Sequence, residues 1–302
     1  MAGSTRVSAM TKAFREKPAS QLFAKRFRGA RIALWGLGLI ALAVLLGPLL
    51  WPLEAGAINL SARNQGSSLA HPLGTDQLGR DMFARLLAGG RVSLAVGLAA
   101  MILSVAIGAA VGVAAGMVRW LDGPLMRLTD LFLALPLLPL LLIAVMLFRA
   151  PLSAAFGPEI GIFILITGAI GATSWMGTAR ILRGDVMALM SRDFITAARA
   201  SGTRRGAMAM RHILPNVASA LTVSASLGVA AAILTESALS FLGLGFPPDF
   251  PTWGRMLFDG TESLASHPGR ALWPGAMITA VVLCVTVLGD SLRDLADPRG
   301  AP

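Results

Sequence analysis

Between Ile32 and Pro52 the sequence reads IALWGLGLIALAVLLGPLLWP, without one charged side chain. Runs of this kind recur at Val92–Val118, Leu125–Phe148, Ile160–Ile181, Val217–Thr235 and Ala271–Gly289, and nothing else restricts the chain as strongly. About 20 apolar residues cross the hydrocarbon core as a helix. In lipid, a segment must satisfy its own backbone N–H and C=O groups, which a helix does and an open strand does not. The alternation in segments of roughly ten residues that marks barrel strands is absent. The sequence therefore predicts an all-α integral membrane protein with six transmembrane helices. Only 14% of the 302 residues are charged, too few to clothe a soluble domain of that size.

Lysine and arginine placement sets the expected orientation. Arg6, Lys12, Arg15, Lys17, Lys25, Arg26, Arg28 and Arg31 precede the first run. Further arginines follow the second run, the fourth run and the sixth. In all, nineteen of the 26 fall on one side, against Arg63, Arg80, Arg85, Arg91, Arg149, Arg255 and Arg270 on the other. Both termini are expected to be cytoplasmic, and the net charge of +10 reads as a topology signal with no nucleic-acid partner. Trp51, Trp120 and Trp273 fall near span ends, where indoles prefer the headgroup zone. Ala55-Gly56-Ala57 resembles a signal-peptide processing site, but the apolar run before it is longer than the usual 7–15 residues, so the first span is expected to stay as an anchor. The expected organisation is a basic N-terminal segment 1–31, a first helix and outer loop 32–90, and a core 91–295. That core holds a cytoplasmic loop 184–216 and an outer re-entrant loop 237–270, and a cytoplasmic tail 296–302 follows.

Most catalytic and energising chemistry is excluded. The three lysines all precede the first span, so no G-x-x-x-x-G-K-[ST] phosphate loop exists. His71, His212 and His267 are scattered and read as plain surface side chains, leaving no metal site. Cys284 is alone, so there is no disulfide. There is no G-x-S-x-G elbow. Asp130 and Glu236 are the acids nearest the spans, and both are expected close enough to an interface to be partly hydrated. No acid or base falls at mid-membrane depth, which weakens an ion-coupled secondary transporter without excluding it. Energy for any work is expected from another chain.

SRDFITAARASGTRRGAMAMRHILPN, residues 191 to 216, sits between the fourth and fifth runs. Ser191 or Asp193 can cap a short helix carrying Phe194, Ile195, Ala197 and Ala198. Gly202 can end it in the left-handed conformation. Thr203 can cap a second helix with Met208 and Met210, and Leu214-Pro215 is expected to stop it. Two short basic helices joined at a glycine form a docking knob, or else an amphipathic element lying on anionic lipid.

This segment resembles the cytoplasmic loop of ABC-transporter permease subunits. Their pattern is E-A-A, three residues, G, and about ten residues more, ending in I-L-P or I-x-L-P. Ala197, Ala198, Gly202, Ile213, Leu214 and Pro215 fall on it, with Thr196 where the family usually has glutamate. HPLGTDQLGRDMFARLLAGGRVSL (71–94), MRLTDLFLALPLLPLLL (126–142) and ILTESALSFLGLGFPPDFPTWGRML (233–257) resemble the C-type permeases of the dipeptide, oligopeptide and nickel importers. The resemblance implies a type I ABC importer fold in a bacterial inner membrane and a heterodimer with a homologous permease. The loop would sit in a groove of an ATP-binding subunit; two such subunits would dock below the pair and hold the ATP and Mg, with no cofactor on this chain. An extracytoplasmic substrate-binding protein would deliver the solute, and this chain would not be an enzyme. Peptide is the expected cargo, with nickel or another small solute as the alternative. An ion-coupled secondary transporter and a non-transporting scaffold are the readings from other classes.

The matched segments also carry physical expectations. Gly243, Gly245, Pro247, Pro248 and Pro251 preclude helix, so this apolar stretch is expected to fold back against the outer span ends, as a gate or a plain plug. Gly74, Gly79, Asp76 and Asp81 suggest a turn before an amphipathic surface helix, Met82 to Leu87, with an exposed Asp81–Arg85 pair. Pro136 and Pro139 are expected to kink the third span. Asp130, Pro136, Glu236, Phe241, Gly243 and Gly245 are the candidate gate or pathway residues.

Overall fold

The computed structural model describes residues 19–296. Arg6, Lys12, Arg15, Lys17 and Arg299 of the basic termini lie outside that range, as do the side chains of Lys25 and Arg26. The helices are α1 (Ala19–Leu50), α2 (Met82–Met117), α3 (Arg119–Ala134), α4 (Leu137–Phe156), α5 (Pro158–Ala172), α6 (Met176–Met190) and α7 (Asp193–Ala200). Then come α8 (Arg205–Met208), a π-helical turn (Ala209–Ile213), α9 (Leu214–Asn216), α10 (Ala218–Phe241), α11 (Trp253–Thr261) and α12 (Gly269–Ala296). Among the described residues there is no strand. Five stretches are long and apolar enough to cross a membrane: Arg28–Leu50, Met82–Met117, Leu137–Phe156, Ala218–Phe241 and Gly269–Leu295. The pair α5–α6, bent by 42°, passes the same test only when its two helices are taken together, which brings the number to six if the pair is one span.

α2 is the hub and packs on α1, α5, α6, α10 and α11. Its sequence explains how it reaches so many neighbours. Gly108, Gly112 and Gly116 recur every fourth residue and form one small-residue stripe. Added Cβ atoms there would lie 2.7 Å from Thr178 Cβ, Ala179 O and Val186 Cβ, so α6 rests directly on the α2 backbone. At the other end of α2, a Cβ on Gly90 would meet the Trp253 ring at 2.6 Å. Trp253 is fully buried there, and its indole donates to Leu86 O at 2.9 Å. α1 is tied in through its proline: Pro48 has no N–H to give to Val44 O, and Arg91 Nε donates to that carbonyl at 3.0 Å instead.

Three expectations about the spans need correction. The third span does not begin at Leu125. α3 is a separate helix, and the chain is extended at Leu135 and Pro136 before α4 starts, so Pro136 marks a break and not a kink. An X-Pro bond disfavours helix in the preceding residue, which is enough to end α3 there. The fourth span is broken at Thr173–Trp175. Finally, Met82 to Leu87 is no surface helix but the first turns of α2, with Met82, Arg85, Leu86 and Leu87 buried.

Candidate functional site

Three features stand out: the two-helix element after α6, the loop packed over the opposite end of the bundle, and a cavity between them.

α7 follows α6 through Ser191 and Arg192. Its cap is Arg192, in extended conformation, and no side chain bonds the helix start. Ser191 donates instead to Ala188 O at 2.9 Å, so neither expected cap acts as one. Asp193 still occupies the first turn, where its charge suits the helix dipole. The helix ends as expected. Gly202 has φ +76°, Gly202 N–H donates to Arg199 O at 3.0 Å, and Thr203 N–H donates to Ala198 O at 3.1 Å. This pair of bonds is the Schellman arrangement, closed by a left-handed residue. Arg204, not Thr203, holds the cap position of α8, again without a side-chain bond. Pro215 does not stop the chain: Leu214 is helical at φ −53°, ψ −43°, and the π turn before it widens the helix ahead of the ring. Leu214 N–H donates to Ala209 O, five residues back, and this wider turn accommodates the proline ring and its missing donor.

The element has two faces. Ile195 and Ile213 are 0% exposed and Met208 4%; they pack with Val113 of α2, Leu182 and Val186 of α6, and Val217. Phe194, Thr196, Ala197, Gly202, Met210 and Pro215 point away, with Ala198 and Leu214 half-buried between the faces. Arg192, Arg199, Arg204, Arg205 and Arg211 surround the exposed face. Apolar residues that the sequence offers as one surface are thus divided into anchors and a free patch.

At the other end, Glu236 is fully buried within α10 and not hydrated, as α10 continues beyond it to Phe241. Ser93 donates to its carboxylate at 3.0 Å and Ser240 at 2.7 Å. Ser93 Oγ also accepts from Trp253 N–H at 3.3 Å, so three elements meet at one carboxyl. The loop folds back as expected. Gly243 has φ +76°, a Cβ on Gly245 would overlap Ser240 Oγ, and Arg149 of α4 donates to the carbonyls of Leu244 and Gly245. Phe246 is buried and stacks on Phe250 at 5.4 Å. Phe241 is half-exposed, edge-on to Phe258 at 6.0 Å. Asp130 is not part of this group: it lies exposed on α3, paired with Arg180 of α6. Nearby, Arg183 forks onto Asp122, and that hydrogen bonding holds the Asp122 carboxyl below its ordinary range. Pro136 stands apart from the loop at the α3–α4 break.

The expected Asp81–Arg85 side-chain pair does not form. Asp81 caps α2 by accepting from Ala84 N–H at 2.6 Å, and it also takes His71 Nδ1 at 2.8 Å and Trp51 Nε1 at 3.2 Å. His71 is therefore engaged in the structure, not a plain surface histidine. Arg85 turns inward, 3.9 Å from Asp76 and 3.8 Å from Asp259. Burial raises the Asp259 carboxyl above its ordinary range in spite of Arg255 and Arg85.

A cavity of about 710 Å³ lies between α2, the α5–α6 break and α10, reaching Arg293 of α12. It is not legible in the sequence, because its walls come from four separated segments. Its lining is mainly apolar, with alanines and glycines beside Met101, Ile170, Ile181 and Leu227, and it carries the hydroxyls of Ser104, Ser174, Thr178, Ser219 and Ser224.

With this geometry in hand, comparison with known proteins decides the family. The family described as binding-protein-dependent transport system inner membrane component matches residues 104–301. The chain belongs to that family. The permease is 38% identical over 282 residues to a protein of Brucella suis named as a peptide permease, covering 91% of this chain and 90% of the relative. It is 37% identical to the dipeptide transport system permease protein of Alkalihalophilus pseudofirmus and 34% identical to the oligopeptide transport system permease protein of Bacillus subtilis. In both cases 91% of this chain and 88% of the relative are covered. It is a multi-pass membrane component of an ABC importer and not an enzyme.

Proposed function

We propose that this permease imports short peptides across a bacterial inner membrane, as one half of a path completed by a homologous permease. Its arginine-rich end faces the cytosol, with both termini, in keeping with the placement of basic residues. Two ATP-binding subunits, which carry the ATP and Mg, dock below the permease pair, one of them on residues 193–215, and an extracytoplasmic binding protein delivers the substrate to the opposite end. The observation that carries this reading is the two-faced element. Ile195, Met208 and Ile213 grip α2 and α6, while Phe194, Ala197 and Met210 are left for another polypeptide. Closure of the ATP-binding subunits then moves α6, α2 and α10 as packed bodies, a rigid-body route to alternating access.

Peptide fits the cavity better than a metal ion. Among the described residues that line it there is no histidine, cysteine, aspartate or glutamate, and its charged group is an arginine, which repels a divalent cation. Neither Asp130 nor Glu236 lines it, which leaves an ion-coupled carrier without a coupling acid there. A cysteine placed at Ala197 tests the docking. In the assembled complex it should cross-link to an ATP-binding subunit and resist alkylation. Free alkylation in the full complex, together with quenching of an attached fluorophore by lipid-borne nitroxides, would show the element lying on the membrane.

A further inference from the structure

The cavity has a chemical asymmetry that its size does not require. At about 710 Å³ it falls within the range of ligand pockets, roughly 300–1,000 Å³. Its walls hold no bulky aromatic group that could select one side chain over another. All five of its hydroxyls are uncommitted: among the described residues, the side chains of Ser104, Ser174, Thr178, Ser219 and Ser224 make no hydrogen bond. The neighbouring Thr222 and Ser226, also on α10 but outside the lining, spend theirs on the carbonyls four residues back, at 2.8 and 2.9 Å. At one end stands Arg293, exposed and the only charged residue among the described ones that line the cavity, with no acidic partner among the described residues. Asp294, next to it in sequence, is not in the lining.

Resting on the peptide reading above, we infer that Arg293 is the residue by which this half of the path reads the substrate's carboxylate. Apolar walls with free hydroxyls and no aromatic group among the described lining residues accept varied side chains. The exposed Arg293 guanidinium recognises the one anionic group that every unblocked peptide carries. Guanidinium matches carboxylate in a two-pronged geometry. An exposed positive charge at one end of a mainly apolar cavity also draws anions towards it. Arg293 lies one turn from the end of α12, at the arginine-rich end of the bundle, so it draws the carboxylate towards the side on which the substrate leaves.

The test uses the complete transporter in liposomes with saturating binding protein, ATP inside, and labelled Ala-Ala as the probe. Affinity for delivery belongs to the binding protein, so Arg293→Gln should leave the half-saturating concentration unchanged. The maximal Ala-Ala rate should fall by about tenfold, the low end of such focusing effects. Arg293→Lys, which keeps the charge, should recover most of the rate. Ala-Ala amide should enter slowly and equally in wild type and Arg293→Gln. Asp-Ala amide, whose only carboxylate is on a side chain, separates the two sources: dependence on Arg293 confined to free termini identifies the terminus, and dependence in both identifies any peptide carboxylate. An Arg293→Gln transporter that moves Ala-Ala at the wild-type rate overturns the inference, as does an equal fall for acid and amide. Failure of the wild type to take up Ala-Ala at all overturns the peptide reading itself, and this inference with it.

Discussion

Valine at Gly202 isolates the mechanical role of the two-helix element from its folding. The residue sits at φ +76°, and an added Cβ would meet no atom within 4 Å. Neighbours therefore contribute nothing to the cost, which is all backbone: about 1–2 kcal/mol for an L-residue held in the left-handed region, and more when it is β-branched. Against that stand Ile195, Met208 and Ile213, buried on α2 and α6, each contributing about 1.5–3 kcal/mol. Their sum exceeds the strain, so the element stays docked and the chain relaxes locally. The bonds from Gly202 N–H and Thr203 N–H open, and the angle between α7 and α8 changes. The expected outcome is a melting temperature lowered by no more than about 4 °C per kcal/mol. ATP-dependent uptake should nevertheless fall tenfold or more, since the exposed patch no longer meets its partner at a fixed angle. Gly202→Asn, a residue that tolerates the left-handed region, should restore most of the uptake. Both variants are measured in the assembled transporter, with membrane abundance read by immunoblot. Wild-type uptake by Gly202→Val, at wild-type abundance, would refute the reasoning.

Three other perturbations probe the rest of the frame. Glu236→Ala removes the acceptor for Ser93 and Ser240, and each buried orphan hydroxyl costs about 1–3 kcal/mol; Glu236→Gln keeps the shape and one acceptor. Thermal melting in detergent should therefore rank wild type above Glu236→Gln above Glu236→Ala, and an unchanged Glu236→Ala melting point contradicts the clamp. Gly112→Ile should abolish accumulation of folded protein, because its Cβ would lie 2.7 Å from Ala179 O, while Gly206→Ile, with open space around it, should accumulate normally. Burial raises the Asp259 carboxyl, so the folded state keeps its proton to higher pH than the unfolded chain does. Its contribution to stability is whole below the ordinary value of about 3.9 and is lost as pH climbs through the raised one. Asp259→Asn should flatten that part of the melting-temperature profile, and an unaltered slope assigns the pH dependence elsewhere.

What could be read from the sequence, and what could not, follows from which forces are local. Span length is imposed by hydrocarbon thickness on consecutive residues, so the apolar runs are legible directly. The glycine stop at Gly202 is legible for the same reason, since a left-handed residue answers to its own backbone. The break at Thr173–Trp175 has neither proline nor glycine to mark it, and Pro215 fails to stop a helix because the π turn five residues long before it absorbs the defect. Glu236 and Arg85 look like surface charges in sequence because their partners, Ser93, Asp76 and Asp259, belong to distant segments. The glycine stripe of α2 was the legible signal left unread: three glycines at spacing four announce a helix pressed against a backbone. That stripe also explains why the two-helix element can do work. Its anchors hold Val113 of α2 together with Leu182 and Val186 of α6, and along the glycine stripe α6 sits directly on the α2 backbone. A push on the element is therefore delivered to both helices at once, at the cavity wall that Ser104 and Thr178 share. Larger residues in the stripe would put compressible rotamers into that joint, and the displacement would be spent there before reaching the path.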